Sequence, residues 1–174
     1  LPHHLVSLWC FGHMLLHPIP DVDRTHYFLM LGANPLASNG SIWTVPDVRQ
    51  RLKDLKSRGG KLVVVDPRRT ETAELASEHL FIRPGSDAAF LLAMIHVLFR
   101  DDLVAPGPLA DFTDGLEKVA AAVSELSTDW AAPLTGIEAD DIVRIAHELA
   151  EAEAGICYGR MGVSTHCLLY TSPS

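Results

Sequence analysis

The chain has 174 residues, 48% of them hydrophobic and 21% charged, with 14 Lys and Arg against 22 Asp and Glu for a formal charge of −8. This is a globular composition, long enough to bury about two thirds of its unfolded surface, so disorder of the whole chain is excluded. The acidic balance argues against binding to a phosphate backbone, and no nucleic-acid partner is expected.

Residues 1–20 contain no Asp, Glu, Lys or Arg. His3, His4, His13 and His17 and Pro2, Pro18 and Pro20 interrupt the apolar stretch, and no basic segment precedes it, so neither a membrane span nor a signal peptide is expected. Residues 1–26 read as a mostly irregular lead-in. His13 and His17 have the spacing of two ligands on one helix face; the simpler reading is polar residues in a loop or on a helix flank.

Tyr27–Leu31 is a short apolar run ending at Gly32 and reads as a buried strand. A turn-rich loop, Gly32–Ser41, follows. Asp47–Arg58 reads as a helix with Val48, Leu52 and Leu55 on one stripe, stopped by Gly59-Gly60. Lys61–Val65 is the clearest strand, β-branched and continuous as buried parallel strands are. A short helix around Thr70–Ala76 and a third strand, Leu80–Ile82, come next. Ser86 is expected to cap a helix running from Asp87 to about Phe99. Val104–Pro108 reads as a loop, Leu116–Leu126 and Glu138–Glu153 as amphipathic helices, and Ile156–Tyr158 as a fourth strand entering the loop Gly159-Arg160-Met161-Gly162. Strands alternating with helices imply an α/β fold, doubly wound around a mainly parallel sheet with helices on both faces, truncated at both ends.

In such sheets ligands sit beyond the carboxyl ends of strands, near a switch in strand order. Three loops there carry chemistry. In Gly32-Ala33-Asn34-Pro35 the glycine lets a ligand approach the backbone and Asn34 offers an amide donor to a phosphate; the plain alternative is a turn closed by proline. In Asp66-Pro67-Arg68-Arg69-Thr70 the acid suits two ribose hydroxyls and the arginines a base or phosphates; alternatively Asp66 caps a helix. In Arg83-Pro84-Gly85-Ser86-Asp87, Asp87 either serves the helix dipole or accepts the two adjacent N–H donors of a guanine edge. Together the loops suggest a guanine nucleotide or a similar dinucleotide. No G-x-G-x-x-G or GxxxxGK[ST] sequence occurs.

No nucleophile constellation is evident around Ser38, Ser41 or Ser164. Cys10, Cys157 and Cys167 are odd in number and widely spaced, without zinc or iron–sulfur spacing, which favours a reducing compartment. Cys157 is expected to be inert in a buried strand. Glu71 and Glu74 read as a solvated helix face, Trp43, Trp130 and Phe90 as packing, and Met161 either as packing or as the lining of a cofactor channel. The last eight residues, Cys167–Ser174, resemble translated read-through of a transposase-type sequencing adapter; on that reading His166 stands where a Gln belongs.

The segments LMLGANPLASNGS, GGKLVVVDPRRTETAELASEHLFIRPGSDAAFLLAMIHVLF and YGRMGVST, in this order and spacing, resemble the molybdopterin oxidoreductases of the formate dehydrogenase, nitrate reductase and dimethyl sulfoxide reductase superfamily. The resemblance spans roughly residues 11 to 165. It implies that residues 1–166 form a domain holding one arm of bis-molybdopterin guanine dinucleotide, with molybdenum or tungsten. By position, Gly32 and Asn34 would contact phosphates and Asp66 and Arg68 would lie at the guanosine. Asp87, preceded by Gly85, would read the guanine edge, and Gly159 to Thr165, with Met161 and Gly162 among them, and the expected Gln at 166 would approach the pterin. The [4Fe-4S] cysteines and the protein ligand to the metal would lie upstream of residue 1, and a domain closing over the second dinucleotide is missing.

The resemblance therefore implies an internal fragment without its reactive centre. Its partners would be the cofactor, the other domains of the parent chain and an electron-transfer subunit. The parent would oxidise formate or reduce nitrate in the cytoplasm, or in the periplasm. Two rivals stand beside this reading. One is a non-catalytic nucleotide-binding domain, like the middle domain of a thiamine-dependent enzyme or a sugar-nucleotide binder; the other is a structural α/β domain whose loop acids only cap helices.

Overall fold

Four short strands carry the architecture of the structure, a computed structural model that describes residues 2–40 and 43–164. Ser41, Thr165, position 166 and the segment 167–174 lie outside the described residues. The chain divides into two compact units, one built from the residues up to Phe81 and from Ala154 onward, the other from Ile82–Glu153. Residues 1–166, expected as one cofactor-binding stretch, contribute to both units.

In the first unit, β1 (Tyr27–Leu31), β2 (Lys61–Val65), β3 (Glu78–Leu80) and β4 (Gly155–Gly159) form a parallel sheet in the order β3-β2-β1-β4. Tyr27 pairs with Lys61 on one side and with Gly155 on the other. Phe28 and Met30 of β1 and Leu62 and Val64 of β2 pack with Val48, Leu52 and Leu55 of α3 (Val48–Ser57), with Trp43 and with Ala73. Leu29, Leu31, Val63 and Val65, on the opposite face, are equally buried. Burial on both faces is why β1 and β2 read as unbroken apolar runs. Each such side chain contributes about 1.5–3 kcal/mol relative to leaving it in water. Asp47 caps α3 by accepting the Gln50 N–H at 3.3 Å, and Thr70 caps α4 (Glu71–Leu75) by accepting from Ala73 at 3.2 Å. Trp43 donates its indole N–H to the Pro20 carbonyl at 2.9 Å and meets Phe28 edge-on at 5.4 Å, which bears out packing for this residue. The α/β reading with a parallel sheet holds.

Several elements differ from expectation. The third strand lies at Glu78–Leu80 rather than 80–82. Its register places Glu78 opposite Val63, and an ion pair from Lys61 to Glu78 at 2.9 Å stands where apolar contact was expected. Phe81 is exposed and stacks on His79 at 4.3 Å. β4 is an edge strand, and Cys157, expected to be buried there, is exposed. The protein packed around the strand still raises its thiol to about 11 by desolvation, so access is open but the thiolate is scarce at neutral pH. The lead-in contains a helix, α1 (Pro2–Phe11), and one turn of helix, α2 (Pro35–Ser38), sits inside the loop after β1. His13 and His17 lie outside α1; His17 Nδ1 is 2.9 Å from Ser7 Oγ. Among the described residues no group of three or more His, Cys, Asp or Glu could hold a metal, and no helix is long and apolar enough to cross a membrane.

The second unit is helical: α5 (Asp87–Arg100), α6 (Leu116–Val123), α7 (Thr128–Thr135) and α8 (Ala139–Glu151), with a 3-10 turn at Gly107–Phe112. α5 packs on α6, α7 and α8. Ser86 occupies the N-cap position of α5 but does not cap it; its hydroxyl donates to the Arg83 carbonyl at 2.7 Å instead. α7 was not expected, because Pro133 interrupts its sequence.

Asp101, at the end of α5, accepts two N–H bonds from Arg100 at 2.6 and 2.8 Å and faces His147 Nε2 of α8 at 2.7 Å; Glu151 lies 3.6 Å from His147 Nδ1. The hydrogen bonds from Arg100 and then His147 hold Asp101 well below its usual 3.8, and Asp101 raises His147 above its usual 6.5. The contribution of Asp101 is present above 3.8 and lost as pH falls through its lowered value. That of His147 is present below 6.5 and lost as pH rises through its raised value. Thermal unfolding is therefore expected to show its highest midpoint between these limits, with His147→Gln flattening the alkaline fall. An unchanged alkaline limb in that variant would show that the pair does not link α5 to α8.

Candidate functional site

From β1 the chain winds outward through β2 to β3, then returns to place β4 on the other side of β1. The strand order switches between β1 and β4, and a crevice lies at the carboxyl ends of these strands. A cleft of about 280 Å³ lies there, lined on one side by Gly32–Pro35, Ala37, Ser38 and Gly40 and on the other by Tyr158, Arg160 and Met161.

The two loops are held by main-chain bonds. Arg160 N–H donates to the Leu31 carbonyl at 3.1 Å, Gly162 N–H to the Gly32 carbonyl at 3.1 Å, and Gly32 N–H to the Val65 carbonyl at 3.0 Å. Gly32 has φ +55, and a Cβ added to it would meet Gly162 Cα at 2.6 Å. The position requires glycine because backbone passes over backbone.

Asn34, expected as a free amide donor, is engaged at both ends. Its Nδ2 donates to Glu71 Oε2 at 2.8 Å, and its Oδ1 accepts from Thr72 Oγ1 at 2.7 Å. Glu71 is therefore more than part of a solvated face: this bond, foremost, lowers it below the ordinary Glu value. Asp66 follows β2 on the same sheet edge, half-buried, with Oδ1 accepting the Arg68 N–H at 2.8 Å; the Arg68 side chain is exposed. Asp66 thus closes a turn, while Thr70 caps the helix. Met161, exposed, joins Gly32 and Asn34 in the lining of the cleft, whereas Gly159 faces Val163 and Gly162 crosses Gly32. Gly85 and Asp87 belong to the second unit, where Gly85 is an exposed turn residue at φ +85 and Asp87 is buried in the first turn of α5.

Tyr158 escaped the sequence reading as a site residue, and Arg160 was placed only within the stretch Gly159 to Thr165 expected at the pterin. Arg160 has no ion-pair partner among the described residues. The Tyr158 hydroxyl is buried with no hydrogen-bond partner; burial pushes it up and the Arg160 charge pulls part of that back. The signal for Arg160 was available, since a charged residue directly after a strand is what drew attention to Asp66.

A family model described as molybdopterin oxidoreductase matches residues 6–128. The chain belongs to that family. The match includes β1 to β3 and the expected residues from Gly32 to Asp87, and stops before β4. Members of the molybdopterin oxidoreductase family that the chain resembles include the alpha subunit of F420-dependent formate dehydrogenase from Methanocaldococcus jannaschii, 28% identical over 89% of this chain and 22% of that protein. Formate dehydrogenase H of Escherichia coli is 31% identical over 84% of this chain and 20% of its own length. Among solved structures, acetylene hydratase from Pelobacter acetylenicus superposes with a TM-score of 0.70 at 29% identity, over 83% of this chain and 19% of that chain. The chain thus spans about a fifth of the length of the relatives it matches.

Proposed function

We propose that the cleft between the β1 and β4 loops holds the diphosphate of one guanine dinucleotide arm of bis-molybdopterin guanine dinucleotide, carrying molybdenum or tungsten. The chain is then the cofactor-binding part of a molybdenum oxidoreductase of the formate dehydrogenase or nitrate reductase kind. The observation that carries this is a guanidinium without a carboxylate partner beside a buried, unpartnered phenol at the strand-order switch. A phosphate oxygen would satisfy both groups. The volume, about 280 Å³, suits a segment of a dinucleotide rather than the whole, since complete ligand pockets run from about 300 to 1,000 Å³.

The bound group would supply two-electron chemistry at its metal; the residues here bind and orient it. Arg160 and the Gly32–Asn34 loop take the phosphates, Asp66 the ribose, Arg68 the guanosine, and Asp87, with Gly85 leading into it, the guanine edge. Gly159, Met161 and Gly162 lie toward the pterin. On this reading the metal ligand and the [4Fe-4S] cluster belong to other segments of the parent, which with an electron-transfer subunit are the expected partners. Relatives named for formate oxidation and for acetylene hydration share this stretch of chain, which suits a part that carries the cofactor and leaves the reaction to be chosen elsewhere.

The test is calorimetric titration of the chain with guanosine diphosphate and adenosine diphosphate. Guanine preference that Asp87→Ala removes, with stability nearly unchanged, supports the reading. Equal affinity for both nucleotides, or an Asp87→Ala effect confined to about 1 kcal/mol of stability, makes Asp87 a helix-terminus residue and ends it.

A further inference from the structure

The amide of Asn34 has one fixed partner and one movable one. Thr72 is fully buried, and its Oγ1 accepts the Leu36 N–H at 3.3 Å while donating to Asn34 Oδ1 at 2.7 Å. A hydroxyl has a single proton, so this arrangement makes Oδ1 the acceptor and leaves Nδ2 as the end that donates to Glu71 Oε2 at 2.8 Å. Flipping the amide would set its carbonyl against a carboxylate. Glu71, by contrast, is exposed and can rotate into water with little desolvation cost. Arg68, just before α4, and Arg49 on α3 both act on its charge, and Arg160 lines the cleft that Asn34 borders.

We propose that Glu71 is a displaceable partner of Asn34, occupying its amide donor when the cleft holds no phosphate and yielding it when a phosphate-bearing ligand enters. The inference rests on the cleft reading above. Nδ2 carries two N–H donors and Glu71 takes one of them; a phosphate drawn to this end of the amide repels the carboxylate, so ligand entry and Glu71 departure are coupled through charge. Thr72 keeps the amide oriented throughout, and Arg68 and Arg49 offer the released carboxylate a favourable field. Glu71 acts here as a positioning and gating residue, without touching the reacting part of the cofactor.

Asn34 and Asn39 are the only asparagines, so 15N-asparagine labelling of the full 174-residue chain gives two side-chain NH2 pairs. In a pH titration the Asn34 pair is expected to shift as Glu71 protonates, below the ordinary Glu value of 4.5, and Glu71→Gln removes that shift. The absence of a shift in the parent chain overturns the contact. Titration with inorganic pyrophosphate at pH 7 and low salt then tests displacement. Binding moves the Asn34 pair, and Glu71→Gln or Glu71→Ala binds about fivefold tighter, an advantage that fades with added salt. Equal affinity in parent and variants overturns the gate and leaves the cleft reading standing. No binding by any of them, with the pH signature present, overturns the cleft reading and the gate with it.

Discussion

Gly32→Ala is expected to lower the free energy of unfolding by about 2–5 kcal/mol. Two costs combine. An alanine at φ +55 carries the left-handed penalty of about 1–2 kcal/mol. Its Cβ would stand 2.6 Å from Gly162 Cα and 2.9 Å from Val163 N, and backbone atoms cannot rotate aside as a side-chain tip can. Separating the loops adds about 1–3 kcal/mol, the usual range for overpacking. Gly162→Ala meets the same obstacle, with Gly32 Cα at 2.6 Å, but without the positive φ, so only the second cost applies. Urea unfolding of both variants separates the parts. The double variant should cost less than the sum, because both substitutions push on one contact. Losses below about 1 kcal/mol in both would mean that the two loops do not cross at this distance.

Arg160→Ala is expected to weaken guanosine diphosphate and pyrophosphate binding about 10- to 100-fold, the loss of one charge-assisted hydrogen bond of about 1.5–3 kcal/mol. Stability should hardly change, since no partner among the described residues is left behind. Tyr158→Phe sharpens the comparison. Its hydroxyl is buried and unpartnered, so removing it relieves a desolvation cost and the ligand-free chain should be as stable or up to about 1 kcal/mol more so, while ligand affinity falls. Opposite signs for stability and binding mark a residue kept for a ligand. If both variants lose stability and neither loses affinity, the cleft is packing and the proposed function fails.

The parts of the fold legible in the sequence are those governed by burial on two faces. β1 and β2 lie where Tyr27–Leu31 and Lys61–Val65 were expected because Phe28–Leu31 and Leu62–Val65 are apolar and buried on both faces. β3 was misplaced because it is only three residues long, and Glu78 sits in it through a bond to Lys61 that no periodicity announces. The exposure of Cys157 follows from strand order, a non-local property. Asn34, expected at a phosphate, lines the cleft, and its bonds to Glu71 and Thr72 join distant parts of the chain that no local pattern announces. Tyr158 could not be found from sequence, since an unpartnered hydroxyl is visible only once its surroundings are known.

The pairing of Tyr27 with Gly155 also bears on how the protein is made. β1, β2 and β3 leave the ribosome within a short interval, whereas β4 follows only after the entire helical unit has been synthesised. Until then the β4-facing edge of a strand made of Tyr, Phe, Leu, Met and Leu stays open to other chains. Closing so distant a pair is slow, because the entropy of a long loop must be overcome before the contact is gained. The cleft between the β1 and β4 loops can therefore form only after the helical unit has been made and β4 has paired with β1.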